Sequence, residues 1–204
     1  MPRITTQAQL RNLYGPAHDR AVKKQLDYLH AHSRRFIALS PFCALSSMGA
    51  DGRADVSPRG EKPGFVHVLD DHTLAIPDRP GNNRLDTLTN IIANPNVGLM
   101  FLVPGINEML RVNGTAELRD DEALKARFAV NERAPRLVIV VSVQEAYIHC
   151  AKAIMRSSLW DEATRIERAA LPSIGEVLRD QIGAAAGPVE PEHAMLERYK
   201  SVLY

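Results

Sequence analysis

Hydrophobic positions along the chain follow two periods. Near the start, Val22, Leu26 and Leu29 lie three and four apart. That spacing lines one helix face and predicts an amphipathic helix over residues 18–33. Pro41 opens a new regime. Residues 42–48 predict a strand, and Gly49-Ala50-Asp51-Gly52 has hairpin-turn composition. Residues 53–57 form the return strand, expected to end at Pro58, which has no N–H for a ladder. Residues 65–69 and 73–77 predict a second hairpin, turning at Asp70-Asp71-His72.

Helical spacing then returns. Leu85, Leu88 and Ile92 lie three and four apart, Asn83 is placed to cap the helix, and Pro95 stops it. The apolar run 97–103 predicts a central strand, with 109–118 as its antiparallel partner. Asp120 or Asp121 caps a short helix carrying Leu124 and Phe128. Residues 137–143 are the most β-branched stretch and predict a buried strand continuing toward His149. Ser173 and Glu176 have capping-box spacing ahead of a helix with Ile174, Val177, Leu178 and Ile182. Residues 183–191 read as a flexible linker and 195–203 as a short amphipathic tail. Hairpin-connected strands with few helices indicate an antiparallel barrel rather than a doubly wound sheet. Periodicity alone does not separate a barrel from a sandwich.

Composition adds limits. The 204 residues, 45% apolar and 24% charged, suit one soluble domain with extensions. A formal charge of +1 offers no global field for nucleic acid or an acidic membrane, so an anion site must be local. The basic residues are dispersed and aromatics are few, so no nucleic-acid partner is expected. Cys43 and Cys150 are too few for a disulfide framework. With no apolar leader and no membrane-length run, a cytoplasmic protein is expected.

Three segments carry candidate chemistry. The loop from Ile76 through Pro77, Asp78, Gly81, Asn82, Asn83 and Arg84 leaves a strand and enters a helix. First-turn amides, a helix dipole and a guanidinium together suit a phosphate; the plain alternative is an ordinary helix start. Ser57, Pro58, Arg59 and Gly60 lie at a strand end and offer a second phosphate arm, or simply a turn with surface charge. Lys152 and Arg156 are four apart, so on a helix they share a face that suits an anion or the neighbouring Asp161 and Glu162. No zinc-like spacing, nucleophile elbow, dinucleotide fingerprint or P-loop occurs, and no metal site is expected.

The stretches DVSPRGEKPGFV, IPDRPGNNRLDTLTNIIANPNVGLMF and LRVNGTAEL resemble the pyridoxamine 5′-phosphate oxidase-like family of FMN-binding split-barrel proteins. The likeness runs over residues 42–118, more loosely to Trp160, and is nearest to a branch of FMN-dependent enzymes of open substrate. It implies a mainly β, α+β fold: a split β-barrel of antiparallel strands with flanking helices. The chain would be one such domain over 1–204, with an N-terminal helical extension (1–35), a barrel core (36–160) and a C-terminal helical segment (161–204). The resemblance implies a homodimer with FMN at the subunit interface. Ser57, Pro58, Arg59 and Gly60 would run along the flavin, with Arg59 on its phosphate. Ile76, Pro77 and Asp78 would pass beside the ring and ribityl chain. The family's oxidases clamp the phosphate with Ser-Arg-Lys; Asn82-Asn83-Arg84 stands there, so Arg59, Arg79 or a partner residue would supply the missing cation. Arg111 would reach the flavin from the second subunit, where the oxidases present glutamine. The oxidases' C-terminal tryptophan and arginine positions have no match, and Lys152 and Arg156 would form a different substrate edge. The implied activity is an FMN-dependent oxidoreductase taking electrons from a small-molecule substrate or a nicotinamide or deazaflavin donor. The alternatives are a flavin carrier or redox sensor without turnover, or a haem-binding barrel using His67 or His149.

Overall fold

A computed structural model describes residues 3–203, and of Ser201 and Val202 the backbone only. Seven antiparallel strands form one sheet: β1 (Phe42–Met48), β2 (Ala54–Gly60), β3 (His67–Asp70), β4 (Thr73–Asp78), β5 (Asn96–Leu102), β6 (Met109–Arg119) and β7 (Leu137–His149). Their order is β2-β1-β5-β6-β7-β4-β3. The helices are α1 (Gln7–Tyr14), α2 (Asp19–Lys23), α3 (Ala31–Leu39), α4 (Asp86–Ala93), α5 (Glu122–Ala126), α6 (Lys152–Ser157), α7 (Ile174–Ile182) and α8 (Glu192–Val202). No helix among the described residues is long and apolar enough to cross a membrane.

The register explains the core. Cys43 pairs with Phe101, which pairs with Leu110; Leu45, Leu99 and Val112 form the next row. Paired residues share a face, so these side chains pave one side of the sheet and are buried there, with α3 and α4 packed on it. Leu74, Ile76, Ile139 and Val141 extend the same layer.

This sheet is curled. Four strands separate β2 from β4 in the order, yet Arg59 of β2 donates from Nη1 to Asp78 Oδ1 of β4 at 2.7 Å. Arg79 spans the same gap, donating from Nε and Nη2 to Glu61 at 2.7 and 3.1 Å. A flat sheet would hold these strands about 24 Å apart, five spacings of roughly 4.8 Å. The result is a barrel whose seam is bridged by side chains instead of backbone bonds, which is a split barrel with flanking helices. One glycine is required by the closure. Gly114 stands at the β6–β7 bulge, where a Cβ would lie 2.0 Å from the Ser142 carbonyl oxygen.

Five expectations change. The helix expected over 18–33 is interrupted: α2 ends at Lys23, Leu26 exchanges backbone hydrogen bonds with Ala146 of β7, and α3 starts after His30. Pairing with a strand end outweighs the local helical period there. β2 does not stop at Pro58 but runs to Gly60, because an edge strand tolerates a residue without a donor. Asn83 does not cap α4; it is left-handed at φ 59°, and Leu85, also left-handed, holds the cap position without a side-chain bond. The Asn82 side chain causes the shift by accepting from the Arg84 amide, an Asx turn. The buried face of α4 is therefore Thr87, Leu88 and Ile91, while Leu85 and Ile92 are exposed. Finally, the expected linker after α7 begins with a 3-10 turn, Gly183–Ala186. The other strands, both hairpins, and the Ser173–Glu176 capping box form as expected.

Candidate functional site

On an edge strand, the core-facing side chains near the rim run out of core. β2 shows this directly: Asp55, Ser57 and Arg59 pair with buried Ser47, Leu45 and Cys43 and share their face, while Val56 and Pro58 point outward. Polar groups on the inward face of an edge strand have to meet other polar groups or a ligand.

They border a cleft of about 860 Å³ at the barrel seam. The cleft joins β2, the end of β4, the loop 79–85, the start of α4, and Arg136 just ahead of β7. Of the residues expected from the sequence, it brings together Ser57, Pro58, Arg59, Gly60, Pro77, Asp78, Asn82, Asn83 and Arg84. Ile76 lies in the core and Arg111 on the opposite, outer face of the sheet. Lys152 and Arg156 are exposed on α6, away from the cleft lining. Trp160 donates from its indole N–H to the Ile106 carbonyl at 2.9 Å and does not line the cleft.

The charges in the lining are balanced in number: Arg59, Arg79, Arg84 and Arg136 against Asp55, Glu61, Asp78 and Asp86. Arrangement separates them. Arg79 is held by Glu61 and by the Phe128 carbonyl, and Arg84 donates to Asp86 at 2.8 Å. Asp55 accepts from Thr87. Arg59 is only 15% exposed, and one side of its guanidinium goes to Asp78. Its Nε is buried and has no partner among the described residues. Arg136 is exposed and makes no ion pair there. Beside them, the amides of Asp86, Thr87 and Leu88 open α4 without a side-chain cap. An unsatisfied guanidinium N–H, an arginine outside any ion pair among the described residues, and uncapped helix amides around one cleft suit an oxyanion.

Arg136 was missed from the sequence. The signal is present: it precedes the most β-branched strand, whose first residue, Leu137, pairs with Asp78. Only register reveals that proximity. Burial dominates the electrostatics of two residues near the lining. Cys43, opposite Arg59 in the register, has its thiol pushed up to about 12 by burial, against the opposing pull of Arg59. His67 stacks on Phe128 at 4.0 Å and is held below its ordinary value by burial and then by Arg127, with Glu61 opposing. Neither His67 nor His149 lines the cleft.

An antiparallel split barrel with a polar cleft at its seam defines a class, and comparison with known proteins gives it a family. The pyridoxamine 5′-phosphate oxidase family model matches residues 29–150. The chain belongs to that family. No curated protein matches the sequence significantly. Among solved structures, a variant of HupZ from Group A Streptococcus is 18% identical, with a TM-score of 0.50 over 59% of this chain and 99% of that one. An FMN-binding protein from Syntrophomonas wolfei is 12% identical, with a TM-score of 0.48 over 70% of this chain and 96% of that one. At these identities the likeness concerns the fold.

Proposed function

We propose that the chain is an FMN-dependent oxidoreductase working as a homodimer, with the flavin phosphate held at the barrel seam. The observation that carries this is the buried, unpartnered Nε of Arg59, a residue that lines a cleft of cofactor size. Arg59 and Arg136, with the amides at the start of α4, would hold the phosphate. Arg84 would close over it from the rim. Ser57, Pro77 and Asp78 would border the remainder of the cofactor. Bound there, FMN would supply hydride or electron-pair transfer, and the protein's part is to bind, orient and tune it.

A second copy is supported by the outer sheet face. Phe42, Met48, Val56 and Met100 are apolar and exposed on the outer face of β1, β2 and β5. Arg111 lies beside Met100 on this face, so its reach to a flavin would cross between subunits.

A flavin carrier or redox sensor is the second reading. It is favoured by the cleft lining, which holds no histidine, cysteine, lysine or tyrosine and keeps three of its four carboxylates in ion pairs with arginine. Two measurements separate the readings. The undenatured protein should be yellow or take up added FMN; a protein that does neither refutes both. Rapid reduction by NADH, NADPH or a reduced deazaflavin, with clear preference for one, supports the oxidoreductase. Equally slow reduction by every donor supports the carrier.

A further inference from the structure

On the outer face of β6 and β7, two cations converge on one aromatic ring, with a histidine near both. Arg111 and Tyr147 are paired across the two strands, and Met109 and His149 form the next pair. The Arg111 guanidinium carbon lies 5.2 Å from the Tyr147 ring centroid, and Lys24 Nζ lies 5.4 Å from it. Lys24 is delivered by the segment that Leu26 ties to Ala146, and its ammonium also donates to the Ile148 carbonyl at 2.8 Å. Burial first, and then Arg111 and Lys24, hold His149 below its ordinary value, so both cations act on that imidazole.

No carboxylate answers this charge. Neither Lys24 nor Arg111 has an ion-pair partner among the described residues. The nearest acid along the same face of β7, Glu145, is engaged on both oxygens, by Gln25 at 2.7 Å and Asn113 at 2.8 Å. Two cations against one half-buried ring repel each other, and the ring face offsets only part of that. We propose that Lys24, Arg111 and His149, gathered around Tyr147, bind the carboxylate or phosphate of a small-molecule substrate. Arg111 supplies a planar fork, Lys24 a point charge, and the Tyr147 hydroxyl a further donor. His149 takes up a proton as the anion arrives. The cluster lies outside the seam cleft of its own chain, and an anion held here takes the place of the cross-subunit flavin contact given to Arg111 above.

The test uses the full chain, with and without added FMN, and inorganic phosphate as probe at ionic strength fixed with potassium chloride. The His149 ring signal, assigned by His149→Gln, is followed by NMR. Phosphate should shift it saturably toward the protonated position. Lys24→Gln and Arg111→Gln should each weaken phosphate about tenfold, with melting curves showing that the fold persists. Lys24 is exposed, so that variant keeps the test open if Arg111→Gln fails to fold. A response that only tracks ionic strength overturns the proposal, as does one untouched by the Lys24 and Arg111 changes. A response abolished by Arg59→Gln instead puts the phosphate at the seam and also overturns it. Saturation by FMN but not by phosphate would assign the cluster to the cofactor. FMN uptake is read separately from flavin absorbance, so failure of the flavin reading stays distinguishable.

Discussion

Replacing Arg59 by Gln tests the seam most directly, because that guanidinium has two jobs with different signatures. Toward a ligand it offers a buried N–H that now has no acceptor. Hydrogen bonds from a charged donor contribute about 1.5–3 kcal/mol, so FMN affinity should fall roughly 10- to 150-fold. Riboflavin lacks the phosphate, and its affinity should change by less than about threefold if the phosphate is what this group holds. Toward the fold, Arg59 neutralises Asp78, which is 17% exposed. Stranding a fully buried charge costs about 3–5 kcal/mol; rim solvation brings this nearer 2–3 kcal/mol. At about 2–4 °C per kcal/mol for a chain of this size, the melting temperature of the FMN-free protein should drop by about 4–12 °C. Adding Asp78→Asn should restore most of that stability but none of the FMN affinity, which separates the two jobs in a double-mutant cycle. Arg84 is the control. Its side chain is 70% exposed and already donates to Asp86, so Arg84→Ala should weaken FMN by about fivefold or less and leave the melting temperature alone. Riboflavin and FMN losing affinity equally in Arg59→Gln would refute the phosphate assignment. So would a larger loss from Arg84→Ala.

Three further outcomes are expected. Gly114→Ala should cost at least about 3 kcal/mol in urea denaturation, or prevent folding, because its Cβ would meet a backbone oxygen that cannot move aside; a loss under about 1 kcal/mol would mean the bulge is not fixed. At pH 8 a disulfide reagent should modify exposed Cys150 promptly and Cys43 only on unfolding, since a thiol at about 12 is ionised in roughly one molecule in ten thousand. Two fast thiols would contradict the buried β1–β2 pairing. Burial holds His67 below the ordinary histidine value of about 6.5, so as pH falls the unfolded chain takes the proton first and stability is lost below about 6.5 until the native imidazole also titrates. His67→Gln should therefore lose less of its urea midpoint between pH 7.5 and 5.5 than the parent, and an equal loss would rule out that histidine as the cause.

What the sequence made legible followed the strength of each local signal. β1, β5 and β7 carry apolar or β-branched runs and β6 alternates apolar with polar residues, and they form within a residue or two of expectation. The start of α4 did not, because Asn83 is a good cap by composition and only the Asx turn at Asn82 carries the chain past it, so that the helix starts after Leu85. That shift rotates the helix face from Leu85 and Ile92 to Thr87 and Ile91. Leu26 misled for the opposite reason. Its helical spacing from Val22 and Leu29 is real, but its backbone partner, Ala146, is 120 residues away and invisible to any local pattern. Arg136 was missed in the same way.

The same distinction explains why the site was more legible than its geometry. DVSPRGE and IPDRPGNNR both supply residues that line the cleft, but either alone reads as a turn with surface charge. Their meaning comes from the curl of the sheet, which sets β2 against β4 and makes Arg59–Asp78 and Glu61–Arg79 span the open seam. Backbone ladders cannot close that gap, so charged side chains do, and charged side chains on a core-facing surface leave a hollow that apolar residues cannot fill. The cleft is thus a consequence of how the barrel is closed. A ligand entering it must compete with Asp78 for Arg59, or add to that pair through the unused Nε. Asp78→Asn alone discriminates between these. If the ligand competes, FMN binds more tightly to the variant; if it adds, removing the carboxylate that holds the guanidinium in place weakens binding. The unpartnered Nε favours addition.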